Sequence, residues 1–429
     1  MRFVEPARSV VGAIAVPGVK GICQRGILLG AIADGESELR GFGHAADTDS
    51  AIAAVRAVGA RVEEQAPDVV RISGHGLRGL AEPDEPIDCG NAATVLRLLC
   101  GVLAGQRGRF QLVGDASLSR RPVRVERPLS EMGARVETKG GRPPVVVEGA
   151  GERLRPIRYE LPAPSAQVKS SVLLAGLLAA DGATAVIEPV ATRDHTERIL
   201  RGLGVRVRRA GSAVRVWPVE RLSPLDLDIP GDFSSAAPFV LAATLLPGSE
   251  LIVQGVNMNP LRTGFLDVLE RMGANVAVFN RRTVGGEPAA DLEVRPAPLV
   301  AATVGAEEVP RLVDELPLFA LAAAMARGTS LLRGAAELRV KETDRIETVT
   351  TSLRALGVRM SALVNGFRVR GVPHRPKGGG MDSLGDHRIA MLGAVAGLVS
   401  QEGVRLEGAE AVDVSFPGFF DLLDSLAQR

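Results

Sequence analysis

The chain has 429 residues, 46% of them hydrophobic and 24% charged, and its 51 basic and 50 acidic residues give a formal net charge of +1. The apolar fraction is typical of globular proteins and excludes a disordered chain. A charge this close to zero, with only 3% aromatic residues, argues against nucleic acid or a membrane surface as the partner. The length exceeds what one hydrophobic core serves and predicts about two or three domains.

The three cysteines, Cys23, Cys89 and Cys100, are too few for a disulfide framework in a chain of this size, and none has the CxxC spacing of a zinc site. The N-terminal apolar stretch is broken at Gly12 and lacks a signal-peptide cleavage pattern. No run approaches the roughly 20 apolar residues of a membrane span. We therefore expect a reduced, soluble, cytoplasmic protein.

Two glycine-centred phrases recur along the chain and predict its architecture. In the first, seen in VLERMGANVAV, apolar residues at helical spacing end at a glycine, and an alternating strand follows. In the second, seen in LAATLLPGSELIVQGV, an Ala- and Leu-rich helix stops at a glycine turn that leads into a strand. The first phrase centres on Gly59, Gly133, Gly204, Gly273 and Gly357, and the second on Gly35, Gly108, Gly182, Gly248, Gly328 and Gly403.

Together the phrases define six units of about 70 residues, each predicted to hold two helices and three or four strands. Such units predict an α/β protein built from repeated βαβ-type modules. Because the helices are rich in alanine and poor in aromatic residues, they suit close packing of buried helices against one another.

Five segments place a polar residue at the expected first turn of an apolar helix. Helix capping explains any one of them, but several helix N-termini together offer free N–H groups and positive dipole ends, which suit an anionic ligand. Asp344 and Glu347 also have capping-box spacing. The helices are expected to begin near Asn91, near Ser165, near Asp232 or Ser234, near Asp314 and near Asp344.

Basic residues lie in or beside these segments, as a substrate with phosphate and carboxylate groups requires. The chain has only five lysines, and a lysine kept in such an arginine-rich chain suggests a need for a compact ammonium. Asp314 and Glu342 are candidates for acid–base chemistry among the cations. No HExxH, GxSxG, Walker A or GxGxxG motif supports a hydrolase, kinase or dinucleotide-binding function. The cations are Lys20, Arg25, Arg97, Arg120, Arg121, Arg193, Lys341, Arg345 and Arg388.

These segments, in this order, resemble the 5-enolpyruvylshikimate-3-phosphate (EPSP) synthase family. The matching motifs cover nearly the whole chain: PGVKGICQR, DCGNAATVLR, GDASLSRRPV, PSAQVKSS, TRDHTE, PGDFSSA, NPLRTG, DELP, ELRVKETDR, GDHRIAM and SFPGFF. Ala93 and the motifs SAQVKS and TRDHTE resemble the sequence pattern of the family branch whose members tolerate glyphosate.

The resemblance implies two globular domains, each an inside-out α/β barrel of three βαβαββ units. Residues 1–18 and 230–429 are expected to form a discontinuous domain that carries Asp314, Lys341, Glu342, Arg345 and Arg388. Residues 19–229 are expected to form the inserted domain with the remaining site residues. The active site is expected in the interdomain cleft of a monomer.

The resemblance also implies the chemistry, in which the 5-hydroxyl of shikimate 3-phosphate attacks C2 of phosphoenolpyruvate (PEP) while C3 is protonated. The tetrahedral ketal phosphate then loses inorganic phosphate. No metal ion or organic cofactor is implied, and the expected partners are these two small molecules, with no nucleic acid and no membrane.

The resemblance assigns roles to individual residues in the motifs. Asp314 is expected to take the hydroxyl proton, and Glu342 with Lys20 to handle protonation at the enolpyruvyl carbon. PEP is expected to bind Lys20, Ala93, Arg121, Gln167, Arg345 and Arg388. Shikimate 3-phosphate is expected to bind Lys20, Gly21, Arg25, Ser165, Ala166, Gln167, Arg193, Asp314 and Lys341.

Two positions depart from the family pattern. Gly21 stands where the family has a serine whose hydroxyl contacts shikimate 3-phosphate, and Val414 stands where some members have a PEP-binding lysine. These departures keep open a paralogous enzyme of secondary metabolism that uses a related cyclitol acid or phosphate for enolpyruvyl transfer or elimination.

Three further alternatives are weaker. The related transferase that acts on UDP-N-acetylglucosamine carries a catalytic cysteine in the loop that Asp115–Arg121 occupies here, and this loop has none. A catalytically inactive binding relative would be expected to lose the acid–base residues and arginines that this chain retains. An RNA cyclase of similar architecture would need an excess of basic residues.

Overall fold

The computed structural model describes residues 1–429, in which short β-strands alternate with α-helices. The strands are β1 (Arg2–Val4), β2 (Ser9–Ala15), β3 (Asp34–Arg40), β4 (Arg61–Ala66), β5 (Val69–His75), β6 (Ile87–Asp88), β7 (Arg109–Val113), β8 (Arg135–Thr138), β9 (Val145–Glu148), β10 (Arg158–Glu160), β11 (Thr184–Ile187), β12 (Val207–Ala210), β13 (Ala213–Val216), β14 (Asp226–Asp228), β15 (Glu250–Asn257), β16 (Asn275–Val284), β17 (Glu287–Arg295), β18 (Thr303–Val304), β19 (Gly328–Leu332), β20 (Arg359–Leu363), β21 (Gly366–Gly371), β22 (Gly379–Asp382), β23 (Val404–Glu407) and β24 (Ala427–Gln428).

The α-helices are α1 (Lys20–Ala31), α2 (Ala46–Ala57), α3 (Ala93–Ala104), α4 (Glu126–Glu131), α5 (Ala166–Leu177), α6 (His195–Gly202), α7 (Phe233–Leu245), α8 (Gly264–Arg271), α9 (Val309–Leu312), α10 (Leu316–Met325), α11 (Arg345–Ala355), α12 (His387–Val399) and α13 (Phe419–Leu426). Short 3-10 helices cover Leu118–Arg120, Gly151–Arg153, Ala336–Val340 and Ala409–Val414.

The chain divides into two compact units. The first unit holds Met1–Pro17, Pro230–Thr283 and Pro288–Arg429, and the second holds Gly18–Ile229 with Val284–Glu287. The family resemblance places Val284–Glu287 with the first domain. These four residues join the second unit instead, because the Glu287 carboxylate pairs with the His195 ring, with 2.7 Å between Oε1 and Nδ1.

Six sheets repeat one strand pattern, three in each unit. In the second unit the strand orders are β14-β3-β5-β4, β6-β7-β9-β8 and β10-β11-β13-β12. In the first unit they are β16-β17-β15-β2-β24, β18-β19-β21-β20 and β1-β23-β22. Each sheet contains one parallel pair, such as β6 with β7, joined to antiparallel neighbours. The α/β class and the six repeated units expected from the sequence are therefore confirmed.

The glycines of both phrases act as helix stops. All eleven have a positive φ, from +75° at Gly248 to +121° at Gly108, a conformation that glycine adopts without a steric penalty. Helix α2, for example, ends at Ala57, and Gly59 turns the chain into β4. These left-handed turns explain why glycine recurs at the centre of both phrases along the six repeats.

Three helices with many small residues form the centre of each unit. In the second unit α3 packs against α1 and α5, and in the first unit α7, α10 and α12 pack against one another. All thirteen residues of α12 are buried. A Cβ at Gly101 of α3 would lie 2.2 Å from the backbone oxygen of Ser171 on α5, so this contact requires glycine. The expected close packing of small-residue helices is confirmed.

Three of the five expected helix N-termini are confirmed by side-chain caps. Ser165 Oγ accepts from the Val168 N–H (3.3 Å), and Asp232 Oδ1 accepts from the Ser234 N–H (2.9 Å). Asp344 Oδ1 accepts from two backbone N–H groups at the start of α11. These side chains satisfy donors that the first helical turn leaves unpaired.

The other two helices also begin within two residues of the expected positions, but neither has a side-chain cap, and the expected capping box does not form. Helix α3 begins at Ala93 because the Asn91 side chain binds Arg121 instead of capping the helix. Helix α10 begins at Leu316 because Asp314 pairs with an arginine instead. Glu347 faces Arg339 with 3.5 Å between the charged atoms, so it does not close the box that begins at Asp344.

Cys23, Cys89 and Cys100 are buried, and none of them forms a disulfide bond. Burial raises the pKa of the Cys100 thiol to about 12 and the pKa of Cys89 well above its ordinary value. No three His, Cys, Asp or Glu side chains are grouped to hold a metal ion. None of the helices has the length and apolar character needed to cross a bilayer.

Candidate active site

The expected site residues form one cluster in each unit. The second-unit cluster lies at the N-terminal ends of α1, α3 and α5 and in the loops beside them. The first-unit cluster lies at the N-terminal ends of α7, α10, α11 and α12. The second-unit cluster comprises Lys20, Gly21, Arg25, Ala93, Arg121, Ser165, Ala166, Gln167 and Arg193, and the first-unit cluster comprises Asp314, Lys341, Glu342, Arg345 and Arg388.

Lys20 is the first residue of α1, where its ammonium adds a cation to the positive end of the helix. Its Nζ lies 2.6 Å from Asp47 Oδ2, and its side chain is 23% exposed. Asp47 is the second residue of α2, in AADTDSAIA, and was not among the expected site residues. The ion pair holds the ammonium in place while leaving part of it open to solvent.

Arg25 is buried, and each of its three guanidinium nitrogens donates a hydrogen bond. Its Nε donates to Thr196 Oγ1 (2.7 Å), and its Nη2 donates to Ser170 Oγ (2.9 Å). Its Nη1 donates to the Gly21 carbonyl (2.7 Å). Burial is the main cause that lowers the pKa of Arg25 to about 10; the charge of Arg193 acts in the same direction, and the charges of Glu197 and Glu287 oppose it. Because the charge of Arg193 reaches Arg25, an anion that binds both would be favoured.

Gln167 is oriented by two side chains of α3. Its Oε1 accepts a hydrogen bond from Arg97 Nη1, and its Nε2 donates to Thr94 Oγ1 (2.9 Å). Arg97 also donates to the carbonyls of Pro122 (2.6 Å) and Val123 (3.1 Å). Arg97 therefore links the loop after Arg121 to the Gln167 side chain through hydrogen bonds. The sequence identified Arg97 only as one of the cations near the site.

Arg121 and Ala93 meet around Asn91. Arg121 Nη2 donates to Asn91 Oδ1 and to Ser117 Oγ (2.9 Å). The Ala93 N–H, an expected PEP contact, donates here to the Asn91 carbonyl (3.0 Å). Asn91 thus positions both residues at the start of α3.

Ser165, Ala166 and Arg193 lie around the start of α5 and the loop before α6. Ser165 caps α5 through its hydroxyl, and Ala166 is the first residue of that helix. Arg193 lies two residues before α6, and it acts electrostatically on Arg25. The structure therefore brings Arg193 to the Arg25 end of the second-unit cluster.

In the first unit, Arg345 is held by a two-point ion pair. Its Nε and Nη2 donate to the two carboxylate oxygens of Asp386 at 2.8 and 3.0 Å, and Nη2 also reaches Glu342 Oε2 at 2.7 Å. Arg345 is only 1% exposed. Burial alone would lower its pKa, but the charges of Asp386 and Glu342 outweigh burial and raise it. The guanidinium is therefore a fixed cation.

Asp314 lies between two arginines. Its Oδ2 is 3.4 Å from Arg262 Nη1, and its Oδ1 is 3.7 Å from Arg345 Nη1. Arg262 is buried and also contacts Asp232 and Glu315, whose charges outweigh burial and raise the pKa of Arg262. The sequence placed Arg262 in a family motif, NPLRTG, but gave it no role.

Arg388 and Lys341 complete the first-unit cluster. Arg388 Nη1 donates to the Ser234 carbonyl (3.1 Å), and its backbone N–H donates to Asp386 Oδ1 (2.9 Å). Lys341 Nζ donates to Glu337 Oε1 (3.1 Å) one helical turn earlier, and its side chain is 21% exposed. Asp386 thus positions both Arg345 and Arg388. The sequence pattern did not single it out, and in the structure it is the N-cap of α12, within the GDHRIAM motif.

Two buried guanidinium nitrogens in the first-unit cluster make no hydrogen bond. They are Nη1 of Arg345 and Nε of Arg388. Buried donors are almost always paired, so unsatisfied donors on two arginines indicate an anionic ligand. Around them five carboxylates accompany three arginines, and two of the carboxylates, Asp314 and Glu342, were expected from the sequence. The arginines are Arg262, Arg345 and Arg388, and the carboxylates are Asp232, Asp314, Glu315, Glu342 and Asp386.

The sequence profile of the family described as EPSP synthase (3-phosphoshikimate 1-carboxyvinyltransferase) matches residues 4–423. Relatives named 3-phosphoshikimate 1-carboxyvinyltransferase include a protein of Citrifermentans bemidjiense, 44% identical over 429 residues, and one of Gloeobacter violaceus, 47% identical over 430 residues. In both cases the alignment covers 99% of this chain and 99% of the relative.

Solved structures agree with these matches. An EPSP synthase of Acinetobacter baumannii is 38% identical with a TM-score of 0.88, and the match covers 99% of this chain and 97% of that one. The enolpyruvyl transferase NikO of Streptomyces tendae has a TM-score of 0.78 at 19% identity, covering 99% of this chain and 96% of that one. The second match supports the fold alone.

Replacing Asp386 by Asn should destabilise the first unit by about 3 kcal/mol, because it removes the two-point carboxylate partner of the buried Arg345 and leaves Glu342 as its remaining hydrogen-bonded carboxylate. Urea unfolding followed by circular dichroism measures the shift in midpoint. The matched control is Glu152→Gln, which removes a carboxylate from the exposed pair with Arg107 and should not move the midpoint. An Asp386→Asn protein as stable as the parent would contradict the ion-pair assignment.

Proposed function

The chain belongs to the EPSP synthase family, and we propose that it transfers the enolpyruvyl group of PEP to the 5-hydroxyl of shikimate 3-phosphate, giving EPSP and phosphate. This is the shikimate-pathway step toward chorismate and the aromatic amino acids. The observation that carries the proposal is the pair of buried, unsatisfied arginine donors in the first-unit cluster, beside the carboxylate of Asp314. We further expect a cytoplasmic monomer that needs no metal ion or organic cofactor.

The proposed PEP contacts are guanidinium, ammonium and amide groups. Arg345 Nη1 and Arg388 Nε are the free donors for its phosphate and carboxylate, and guanidinium groups suit both through two-point hydrogen bonds. From the second unit, Lys20, Arg121 and Gln167 contribute further donors, and Ala93 contributes the backbone at the start of α3. Asp386 and Arg97 hold these donors in place without themselves contacting the substrate.

The proposed contacts to shikimate 3-phosphate centre on Arg25 and Arg193, whose mutual repulsion an anion relieves. Lys20 and the start of α5 add an ammonium, a hydroxyl and backbone N–H groups at a helix N-terminus. The remaining proposed contacts are Gly21, Ser165, Ala166, Gln167, Asp314 and Lys341.

Asp314 is the proposed base. The neighbouring guanidinium groups of Arg262 and Arg345 favour its carboxylate form, which is the form that accepts a proton. Asp314 takes the proton of the 5-hydroxyl as the oxygen bonds to C2 of PEP, and Glu342 and Lys20 handle the protonation of C3. Loss of phosphate from the ketal, with return of a proton from C3, gives the enol ether. Excluding water while cations hold both anions lowers the barrier.

A second candidate rests on Gly21, which offers no hydroxyl to an acceptor and whose carbonyl is used by Arg25. It is the paralogous enzyme that acts on a related cyclitol acid or phosphate. Incubating the protein with PEP and shikimate 3-phosphate, while measuring phosphate release and enolpyruvyl product, separates the two. Release of phosphate with EPSP supports the first candidate, and turnover only with another acceptor supports the second. A folded protein without turnover of shikimate 3-phosphate contradicts the first.

Asp314→Asn should lower kcat by about 10²- to 10⁴-fold, because it removes the proton acceptor while keeping the side-chain shape. Steady-state kinetics with both substrates measures the loss. Asp421→Asn, an exposed change in the same unit, is the control and should leave kcat unchanged. Full activity of Asp314→Asn would rule out its role as the base.

Gly21→Ser should lower the KM for shikimate 3-phosphate roughly 10-fold, because one hydrogen bond to a charged group contributes about 1.5–3 kcal/mol. A Cβ at Gly21 would lie 3.2 Å from Arg25 Nη1, so Arg25 must shift slightly. Gly21→Ala is the matched control that adds the Cβ without the hydroxyl, and it should not lower KM. A raised KM in Gly21→Ser would show that the site is adapted to glycine.

Glyphosate should inhibit the protein weakly, because the Ala93 methyl crowds a ligand longer than PEP. Ala93→Gly should strengthen inhibition about 10-fold or more, since overpacking by one methyl costs about 1–3 kcal/mol. Inhibition constants measured against PEP for both proteins provide the comparison. Submicromolar inhibition of the unchanged protein would refute the expectation.

A further inference from the structure

Lys169 is a charged side chain that the proposed function leaves without a role. It lies in the PSAQVKSS motif on α5, one turn after Ser165, and none of its side chain is exposed. Its Nζ lies 3.1 Å from Glu188 Oε1 and 2.8 Å from Glu197 Oε1, and both glutamates are buried. An ammonium enclosed in this way does not reach a substrate, so any contribution to activity passes through its neighbours.

One neighbour is the segment that carries Arg193. Lys169 Nζ donates to the carbonyl of Thr192 at 3.1 Å. Glu188 Oε1 accepts from the Thr192 N–H at 3.1 Å and also from its hydroxyl. The peptide group that joins Thr192 to Arg193 is therefore fixed from one side by the ammonium, and the preceding peptide by its glutamate partner. Because Arg193 follows directly, this pair sets where its side chain leaves the backbone.

The other neighbour is Arg25, through the contact between α5 and α6. Lys169 pairs with Glu197, and the adjacent Ser170 accepts a hydrogen bond from Thr196 Oγ1 at 2.7 Å. The hydroxyls of Ser170 and Thr196 are also the acceptors for two hydrogen bonds from the Arg25 guanidinium. The ion pair therefore holds the register in which both hydroxyls face the guanidinium.

We propose that Lys169 is a positioning residue that orients Arg25 and Arg193 for the acceptor substrate through Glu188, Glu197 and Thr192. The inference rests on the proposed function, because it assigns these two arginines to shikimate 3-phosphate. A buried ion pair contributes little net stability compared with apolar residues of the same size, so stability alone gives a poor account of this cluster. Precise placement of two substrate-binding arginines accounts for it directly.

The test uses the double variant Lys169→Met/Glu197→Gln. It removes one positive and one negative charge. Glu188 keeps its ion pair with Arg209, and Arg25 keeps the nearby charge of Glu287. The KM for shikimate 3-phosphate should rise about 10- to 100-fold, because a small misplacement of binding groups has effects of this size. The kcat and the KM for PEP should stay within about threefold of the parent, since the first-unit cluster is untouched.

Arg107→Met/Glu152→Gln is the matched control, because it removes an exposed ion pair from the same unit and should change no kinetic constant. Thermal unfolding of both variants separates folding from positioning. An unchanged KM for shikimate 3-phosphate in a folded Lys169→Met/Glu197→Gln protein overturns the proposal, and so does a fall in kcat with KM unchanged.

Thr192→Val is a milder second variant, because it removes only the hydroxyl that donates a hydrogen bond to Glu188. It tests the proposal if the double variant does not fold. Its KM for shikimate 3-phosphate should rise about 3- to 10-fold, and a value within twofold of the parent overturns the proposal. The parent protein is assayed first. If it forms no EPSP, the proposed function itself fails, whereas an active parent with unaffected variants contradicts only the role of Lys169.

Discussion

Close packing of three small-residue helices in each unit is the constraint on which the rest of the structure depends. The contact of Gly101 with the backbone of Ser171 leaves no room for a side chain, so α3 and α5 lie nearly in contact along their length. Thr94 and Arg97 of α3 reach Gln167 near the start of α5, and Gly101 farther along α3 faces Ser171 farther along α5, so the two helices run in the same direction. Parallel helices in close contact bring their N-terminal ends together.

The same arrangement explains where the functional side chains lie. In the first unit, Ser234 contacts Glu315 with its hydroxyl and Arg388 with its carbonyl, so the starts of α7, α10 and α12 meet. Polar groups are tolerated there because the first turn of a helix has free N–H groups to offer. The repeated strand–helix unit therefore brings helix N-termini together, and their free N–H groups and positive dipole ends suit an anion.

Buried carboxylates determine which cations can bind a ligand. Asp386 takes two of the nitrogens of Arg345 and leaves Nη1 unsatisfied, and Asp47 anchors Lys20. A guanidinium or ammonium with a fixed partner loses little side-chain entropy when a substrate binds. Lys169 and its partners form a second layer, which lies behind the substrate-binding residues. This layer holds the backbone before Arg193 and the hydroxyls that bind Arg25. The departure at Gly21 lies at the edge of that layer, where its carbonyl, not a side chain, contacts Arg25.

The sequence by itself determined the α/β class, the six units and the helix stops, because glycine turns and helical spacing are local properties of the chain. It also marked the caps at Ser165, Asp232 and Asp344, which act within one helical turn. Only the tertiary structure decided that Asn91 binds Arg121, that Asp314 lies between Arg262 and Arg345, and that Lys169 pairs with Glu188 and Glu197. These partners lie between 19 and 52 residues apart in the chain, and whether a polar side chain caps its own helix or pairs with a distant charge depends on which groups the fold brings within reach.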